Sequence, residues 1–334
     1  MRVLLDARVG AGGVGRYART LASGLRDTRA ETEVKLVDYR SFGYKLFSPW
    51  GRRAVGRLGD SWGADVVHGL HLELAPSRAT GIVTIHDLIP LLYPDSMPNP
   101  VRRRLFSRIV RQSAERATAV IAPSFMTRDD LVRFGIAREK IEVIPLAADD
   151  IFTPTTPDEV DLARRRFGGG KPYVASVVSD RPHKNVAGLS RAARIIRETL
   201  NLSTVACGPA MPGTGPLSFV NGLSDQDLRF FFGGAVATIV PSTIEGFGLP
   251  IVEAMACGSP VICGPRVGAV DFVHRGVTVV DTSDAAAMAA AIAALASDEA
   301  GRDRESAAAA ESAAMLRPGR MATSTLELYQ RVVK

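Results

Sequence analysis

Short apolar runs alternate along this chain with longer stretches in which apolar residues recur every third or fourth position. That alternation predicts strand–helix–strand units and parallel sheets. In the first half, the runs at residues 3–6, 34–38, 65–67, 81–85, 119–122 and 141–144 are expected strands, with helices such as 15–25 and 101–117 between them. The second of these helices is well marked. Asn99 suits the N-cap and Pro100 the first helical position, and Val101, Leu105, Phe106, Ile109, Val110 and Ala114 fall on one side.

A turn-rich stretch, residues 147–157, reads as a linker, after which the pattern restarts. Expected strands at 173–178, 204–207, 237–240, 260–263 and 277–280 again alternate with helices. The alanine-rich stretch 285–314 is predicted as one helix from its propensity. Arg317-Pro318-Gly319 breaks it, and a last helix covers 322–333. The fold class expected is therefore α/β, with two Rossmann-like doubly wound domains at residues 1–150 and 151–315. Residues 316–334 form a helix expected to pack back on the first domain. Ligands of such sheets bind at the carboxyl ends of the strands, so two sheets facing each other would enclose a cleft.

Composition adds little to this, and charge adds more. The 334 residues are 46% hydrophobic with a mean hydropathy of +0.08, as in an ordinary globular chain. The longest apolar run, residues 230–240, is too short to span a bilayer and holds two glycines. Residues 1–5 carry an arginine and run into Asp6, unlike a signal-peptide core. Cys207, Cys257 and Cys263 form no CxxC pair and read as buried thiols of a reducing compartment, so a cytoplasmic location is expected. The net charge is +6, and residues 1–150 hold 23 Lys and Arg against 17 Asp and Glu, so the whole excess lies in the first half. Such a surface attracts phosphates, anionic lipid or nucleic acid. No zinc-finger spacing, RNP-like aromatic pattern or basic tail accompanies it, so no nucleic-acid partner is expected.

Chemistry concentrates in residues 241–253, Pro-Ser-Thr-Ile-Glu-Gly-Phe-Gly-Leu-Pro-Ile-Val-Glu, which run from an apolar strand into a helix. Gly246 and Gly248 let backbone amides approach a ligand, and a helix N-terminus favours an anion such as a diphosphate. Glu245 in the loop and Glu253 in the first helical turn would repel that anion, so both suit sugar hydroxyls better. Glu253 could instead simply balance the helix dipole, with Glu245 a solvated loop residue.

This stretch resembles the E-x7-E signature of the retaining glycosyltransferases of the GT-B fold, family four. Further motifs follow in that family's order: Gly12-Gly13-Val14-Gly15-Arg16-Tyr17, His86-Asp87-Leu88-Ile89-Pro90, Pro123-Ser124 through Phe152-Thr153-Pro154, and Pro182-His183-Lys184-Asn185. The resemblance implies that Glu253 holds ribose hydroxyls and Glu245 those of the donor sugar. The amides of Phe247, Gly248 and Leu249 would meet the sugar and phosphates, and Lys184 with an arginine would neutralise the departing diphosphate. Where many members carry that arginine this chain has Ser179, and Arg181 is the substitute. Gly12 and Gly13 would leave room for donor and acceptor, and His86 would face the donor sugar. The resemblance also implies retention of anomeric configuration, by front-face attack assisted by the leaving phosphate, without metal or cofactor beyond the nucleotide-sugar donor.

Other features stay open or are set aside. Gly10-x-Gly12-x-x-Gly15 is formally a dinucleotide fingerprint, which keeps an NAD(P)-dependent oxidoreductase as an alternative, although three residues separate it from the strand. A non-catalytic sugar-nucleotide or lipid-surface binder is the other. His68 and His71 follow a strand end and are secondary candidates for acceptor contacts; His183 more naturally shapes its turn. Asp225-Gln226-Asp227 looks like a metal-holding motif, but Ser224 as N-cap explains it. Two basic, amphipathic stretches, residues 42–53 with Arg57 beyond and the 101–117 helix with Arg102, Arg103, Arg104, Arg108 and Arg111, suit anionic lipid at the inner face of the cell membrane. The acceptor expected is a hydroxyl, on a lipid-linked saccharide or on a small molecule.

Overall fold

The computed structural model describes residues 1–8, 12–28, 32–38 and 48–333. The chain divides into two compact units, Met1–Ala147 with Arg317–Lys334, and Ala148–Leu316.

The first unit holds β1 (Arg2–Ala7), α1 (Gly13–Asp27), β2 (Glu33–Asp38), α2 (Pro49–Trp62), β3 (Val66–Gly69), β4 (Thr80–Thr84), the short α3 (Ile89–Leu92), α4 (Pro100–Arg116), β5 (Ala119–Ala122), α5 (Phe125–Arg133) and β6 (Ile141–Val143). Its six strands are parallel in the order β2-β1-β3-β4-β5-β6. The chain steps from β1 to β2 on one side and then crosses to β3 on the other, so the topological switch lies between β1 and β3. Val3, Leu4 and Leu5 are fully buried in succession, as a strand covered on both faces requires. The C-terminal helix, Pro318–Val332, belongs to this unit and packs on α1. A Cβ on Gly24 would stand 2.9 Å from that of Ala322, so glycine permits the close crossing, and Arg331 adds a 2.7 Å contact to Glu142.

The second unit holds α6 (Pro157–Phe167), β7 (Tyr173–Val177), α7 (Val186–Leu200), β8 (Ser203–Cys207), β9 (Leu217–Val220), α8 (Asp225–Gly233), β10 (Ala237–Val240), α9 (Leu249–Ala256), β11 (Val261–Cys263), β12 (Val277–Val279), α10 (Ala285–Ser297) and α11 (Glu299–Ala313). Its strand order is β12-β11-β10-β7-β8-β9, again all parallel, with the switch between β7 and β10. The unit is entered through an anchored segment. Arg229 donates to both carboxylate oxygens of Glu159 at 2.9 Å and to the Thr153 and Pro154 carbonyls.

Several expectations need correction. The 285–314 helix is two helices, because Asp298 is extended and its side chain caps the Gly301 amide at 2.8 Å. The last helix starts at Pro318 rather than residue 322, since proline is favoured in a first turn. Strand β9 was not anticipated. In α4, Val101 and Leu105 are 69% and 50% exposed, and the buried face is Phe106, Ile109, Val110, Ser113 and Ala114.

Candidate functional site

In the second unit, the loops leaving β7 and β10 rise side by side at the switch between those strands. The turn Pro182–Lys184 follows β7 and ends at Asn185, which adopts a left-handed backbone with φ 48°. Asn185 organises the corner. Its side chain caps α7 by accepting from the Gly188 amide at 3.1 Å, and its Nδ2 donates to the carbonyls of Pro241 at 3.2 Å and Thr282 at 2.7 Å. The Thr243 amide donates to the His183 carbonyl at 2.8 Å, lacing the second loop to the first.

This scaffold brings Lys184 and Glu245 into contact. Lys184 Nζ donates to Glu245 Oε1 at 2.5 Å, and Ser242 Oγ donates to the same oxygen at 2.5 Å. Oε2 carries neither of these contacts. The Glu245 backbone is held by a bridge to Val267, with its amide on the Arg266 carbonyl. Arg181 is exposed beside the turn. His183 is buried, and burial first, helped by the charges of Lys184 and Arg181, pushes its pKa down against the opposing pull of Glu245.

Gly246, Phe247, Gly248 and Leu249 complete the loop, all buried. Gly248 precedes α9 with φ 92°, where a Cβ would stand 2.6 Å from Val267 Cγ1. At the start of α9, Pro250 has no amide hydrogen and the Ile251 amide donates to the Gly248 carbonyl at 2.9 Å, so Leu249 supplies the first amide of the helix at this loop. Glu253 is the fifth residue of α9, beyond its first turn, and is 1% exposed. Helix-dipole balance therefore does not account for it, and it is not at the open surface of the loop.

In the first unit, Gly12 caps α1 with φ 110°, and Gly12 and Gly13 are both exposed, with no atom within 4 Å of a Cβ built on either. Gly10 lies outside the described residues. His86 stands two residues beyond β4, and its Nε2 donates to the Leu70 carbonyl at 2.9 Å. Tyr17, one turn into α1, meets the His86 ring edge-on at 5.0 Å. Burial lowers the His86 pKa to about 4, the hydrogen bond to Leu70 opposing the shift in part, so the ring is neutral near pH 7. Between the ends of β1 and β3, Arg8 is buried against Asp6 at 2.8 Å and Glu73 at 3.3 Å. His68 departs from the expected acceptor role. It lies inside β3, fully buried, with both ring nitrogens engaged by Tyr329 and Thr84.

The family model described as Glycosyl transferases group 1 matches residues 158–313, and that described as Glycosyltransferase Family 4 matches residues 11–152. The chain belongs to the group 1, family four glycosyltransferases. A curated relative, the O-antigen chain mannosyltransferase B of Escherichia coli, is 26% identical over 84% of this chain and 86% of its own. A D-inositol 3-phosphate glycosyltransferase of Nocardioides is 27% identical over 84% of this chain and 66% of its own. Among solved structures, the Anabaena HepE protein in complex with UDP and glucose is 17% identical, with a TM-score of 0.75 over 99% of this chain and 100% of that one. WaaG, described as a glycosyltransferase of lipopolysaccharide biosynthesis, is 15% identical with a TM-score of 0.72, over 98% of this chain and 99% of that one. These likenesses show the GT-B fold, with two Rossmann-like domains.

In this glycosyltransferase the Asp225-x-Asp227 pair is a helix start. Ser224 and Asp227 form a capping box, and Asp227 also pairs with Arg166. The motifs contain Ser242 and Asn185 without giving either a role, and the buried Arg8, Asp6 and Glu73 lie outside them. Ser242, three residues before Glu245, was legible as a hydroxyl next to the paired acids. The carbonyl partners of Asn185 lie 56 and 97 residues away and carry no local signal.

Proposed function

We propose that this glycosyltransferase moves a hexose, mannose or glucose, from a nucleoside-diphosphate sugar to a hydroxyl with retention of anomeric configuration, the acceptor being a lipid-linked saccharide or a small molecule. The observation that carries the reading is the Lys184–Glu245 contact at the switch between β7 and β10, beside the N-terminus of α9. An ammonium and the loop amides that lead into α9, those of Gly248 and Leu249, meet the charge that grows on a departing diphosphate. Arg181 adds a second, exposed cation. Lys184 leaves Glu245 for the phosphate as the donor enters, and the freed carboxylate accepts from the sugar hydroxyls while Ser242 keeps it oriented. Glu253 takes the ribose hydroxyls after a local opening around its buried carboxylate. In the first unit Gly12 and Gly13 present an unobstructed helix start, and neutral His86 presents its ring to the sugar. No metal or cofactor takes part in this scheme.

The acceptor side rests on the first unit. The outward face of α4 mixes Val101 and Leu105 with Arg104, Arg108 and Arg111, and Leu91, Pro100, Ser107 and Arg103 join the arginines around a groove of about 550 Å³. Cations interleaved with exposed apolar side chains suit an anionic membrane, where lipid-linked acceptors reside. The curated mannosyltransferase relative, named for O-antigen chains, supports a glycan acceptor and a mannosyl donor. A cytoplasmic protein touching the membrane's inner face fits both.

The test is turnover with a panel of nucleotide sugars, following nucleoside diphosphate release and the anomeric proton coupling of the product. Release with a retained anomer is expected. An inverted product overturns the retaining assignment, and no release with any donor overturns the donor class.

A further inference from the structure

A chain of buried hydrogen bonds runs through the first unit from the C-terminal helix to the ring packed on His86. Tyr329 Oη lies 2.6 Å from His68 Nδ1, His68 Nε2 lies 2.8 Å from Thr84 Oγ1, and Thr84 Oγ1 lies 2.9 Å from Tyr17 Oη. Tyr329, His68 and Thr84 are fully buried and Tyr17 nearly so. Tyr17 then meets His86 edge-on at 5.0 Å. The four linked side chains come from four elements: the C-terminal helix, β3, β4 and α1.

We propose that Tyr329, 261 residues from His68 in sequence, is a positioning residue for His86, so that the C-terminal helix sets the active-site ring through this relay. The inference rests on the reading of His86 as a donor-facing residue. A neutral imidazole has one donor and one acceptor nitrogen. A phenol is the stronger donor of the Tyr329–His68 pair, so Tyr329 donates to Nδ1, Nε2–H donates to Thr84, and the Thr84 hydroxyl donates to Tyr17. On this assignment His68 and Thr84 each accept one hydrogen bond and donate one, and the donors run from the helix inward. The relay pins the Tyr17 ring, and that ring, with the Leu70 carbonyl on Nε2, leaves the imidazole of His86 one orientation. Its contribution to the reaction is orientation alone, since no proton need travel along it.

The test compares Tyr329→Phe and Thr84→Val with the parent enzyme, each alone and combined with His86→Ala. Both substitutions keep the packed volume and break the relay at different links, so a fold lost in one leaves the other to decide. Expected is a kcat about fivefold lower, the worth of one net hydrogen bond, with donor KM unchanged and no further loss in the His86→Ala background. Long-range ¹H–¹⁵N spectra should show His68 as the Nε2–H tautomer in the parent, and a shifted His86 ring in both relay variants. Equal losses with and without His86 would overturn the proposal, because the hydroxyls would then act on stability or elsewhere. An unmoved His86 resonance would overturn it as well. Full turnover in His86→Ala alone would instead remove the assignment of His86 on which the proposal stands, while the spectra still report whether the relay reaches the ring.

Discussion

Lys184 and Glu245, 61 residues apart in sequence, share one hydrogen bond at 2.5 Å, and Ser242 approaches the same carboxylate oxygen. Neither charge is fully exposed, their side chains being 20% and 13% accessible. A carboxylate that holds its lysine in waiting keeps the ammonium within reach of a phosphate, so that the exchange of partners belongs to donor binding and little reorganisation remains for the reaction itself.

If that arrangement carries catalysis, Lys184→Ala should lower kcat by about 10²–10³-fold, as does removal of a preorganised charge elsewhere. Glu245→Ala should cost a similar factor by releasing both the sugar and the lysine. Ser242→Ala, which only orients the carboxylate, should cost about tenfold or less. Circular dichroism should show all three folded. Parental turnover in both charge variants would remove these residues from the site.

Acid should destabilise the first unit through two histidines. Burial, added to by the nearby His86, lowers His68 from its ordinary 6.5 to about 3, and burial lowers His86 to about 4. Below pH 6.5 the unfolded chain takes up protons that the folded one refuses. This contribution to stability is therefore complete above about pH 6.5 and declines as pH falls toward 4, by about 1.4 kcal/mol per pH unit for each histidine. His68→Gln keeps a donor and an acceptor between Tyr329 and Thr84 but does not titrate, so its stability against pH should be visibly flatter. Denaturant titrations between pH 4 and 7 measure this, and an unchanged slope would show that His68 is not the titrating group.

How much of this was legible follows from how far each interaction reaches. The paired sheets were readable because a parallel strand is an apolar run wherever it lies, and the loop after β10 because its glycines and acids are local. Strand β9 is hidden because Leu217 alone of its four residues is buried and Ser218 interrupts the apolar run. Periodicity puts Val101 and Leu105 on the apolar side of α4, but over 17 residues it does not say where the core ends. His68 looked like a strand-end residue because its partner Tyr329 lies in the last helix. A helix starting at Pro250 has Glu253 in its first turn, whereas α9 starts at Leu249; one residue of shift changes the explanation of that carboxylate.

Two glycines separate backbone need from ligand need. At Gly248, φ is 92° and a Cβ would collide with Val267, so Gly248→Ala should destabilise the chain by about 1–3 kcal/mol. Gly13 meets nothing within 4 Å and does not have a positive φ, so Gly13→Ala should leave stability unchanged or slightly raised, since alanine favours a helix. If the open start of α1 admits donor or acceptor, that same variant should still lose turnover. A Gly13→Ala enzyme of full activity would show that the space above α1 is not used.

The outward face of α4 gives the membrane reading its sharpest test. Arg104 and Arg108 are exposed, and Leu105 is 50% exposed beside them. Each arginine near an anionic surface contributes about 1 kcal/mol at moderate ionic strength, and the attraction fades within a Debye length. Binding to vesicles containing anionic lipid should therefore be strong at low salt and weak at high salt, and absent with neutral lipid. Arg104→Glu with Arg108→Glu should abolish it, and Leu105→Ser should weaken it at all salt concentrations by removing the apolar contact. Because these side chains face solvent, none of the changes should alter stability or turnover of a soluble acceptor. Sedimentation with vesicles that shows no binding at low salt, or binding that survives the double charge reversal, would mean that this face meets something other than a bilayer.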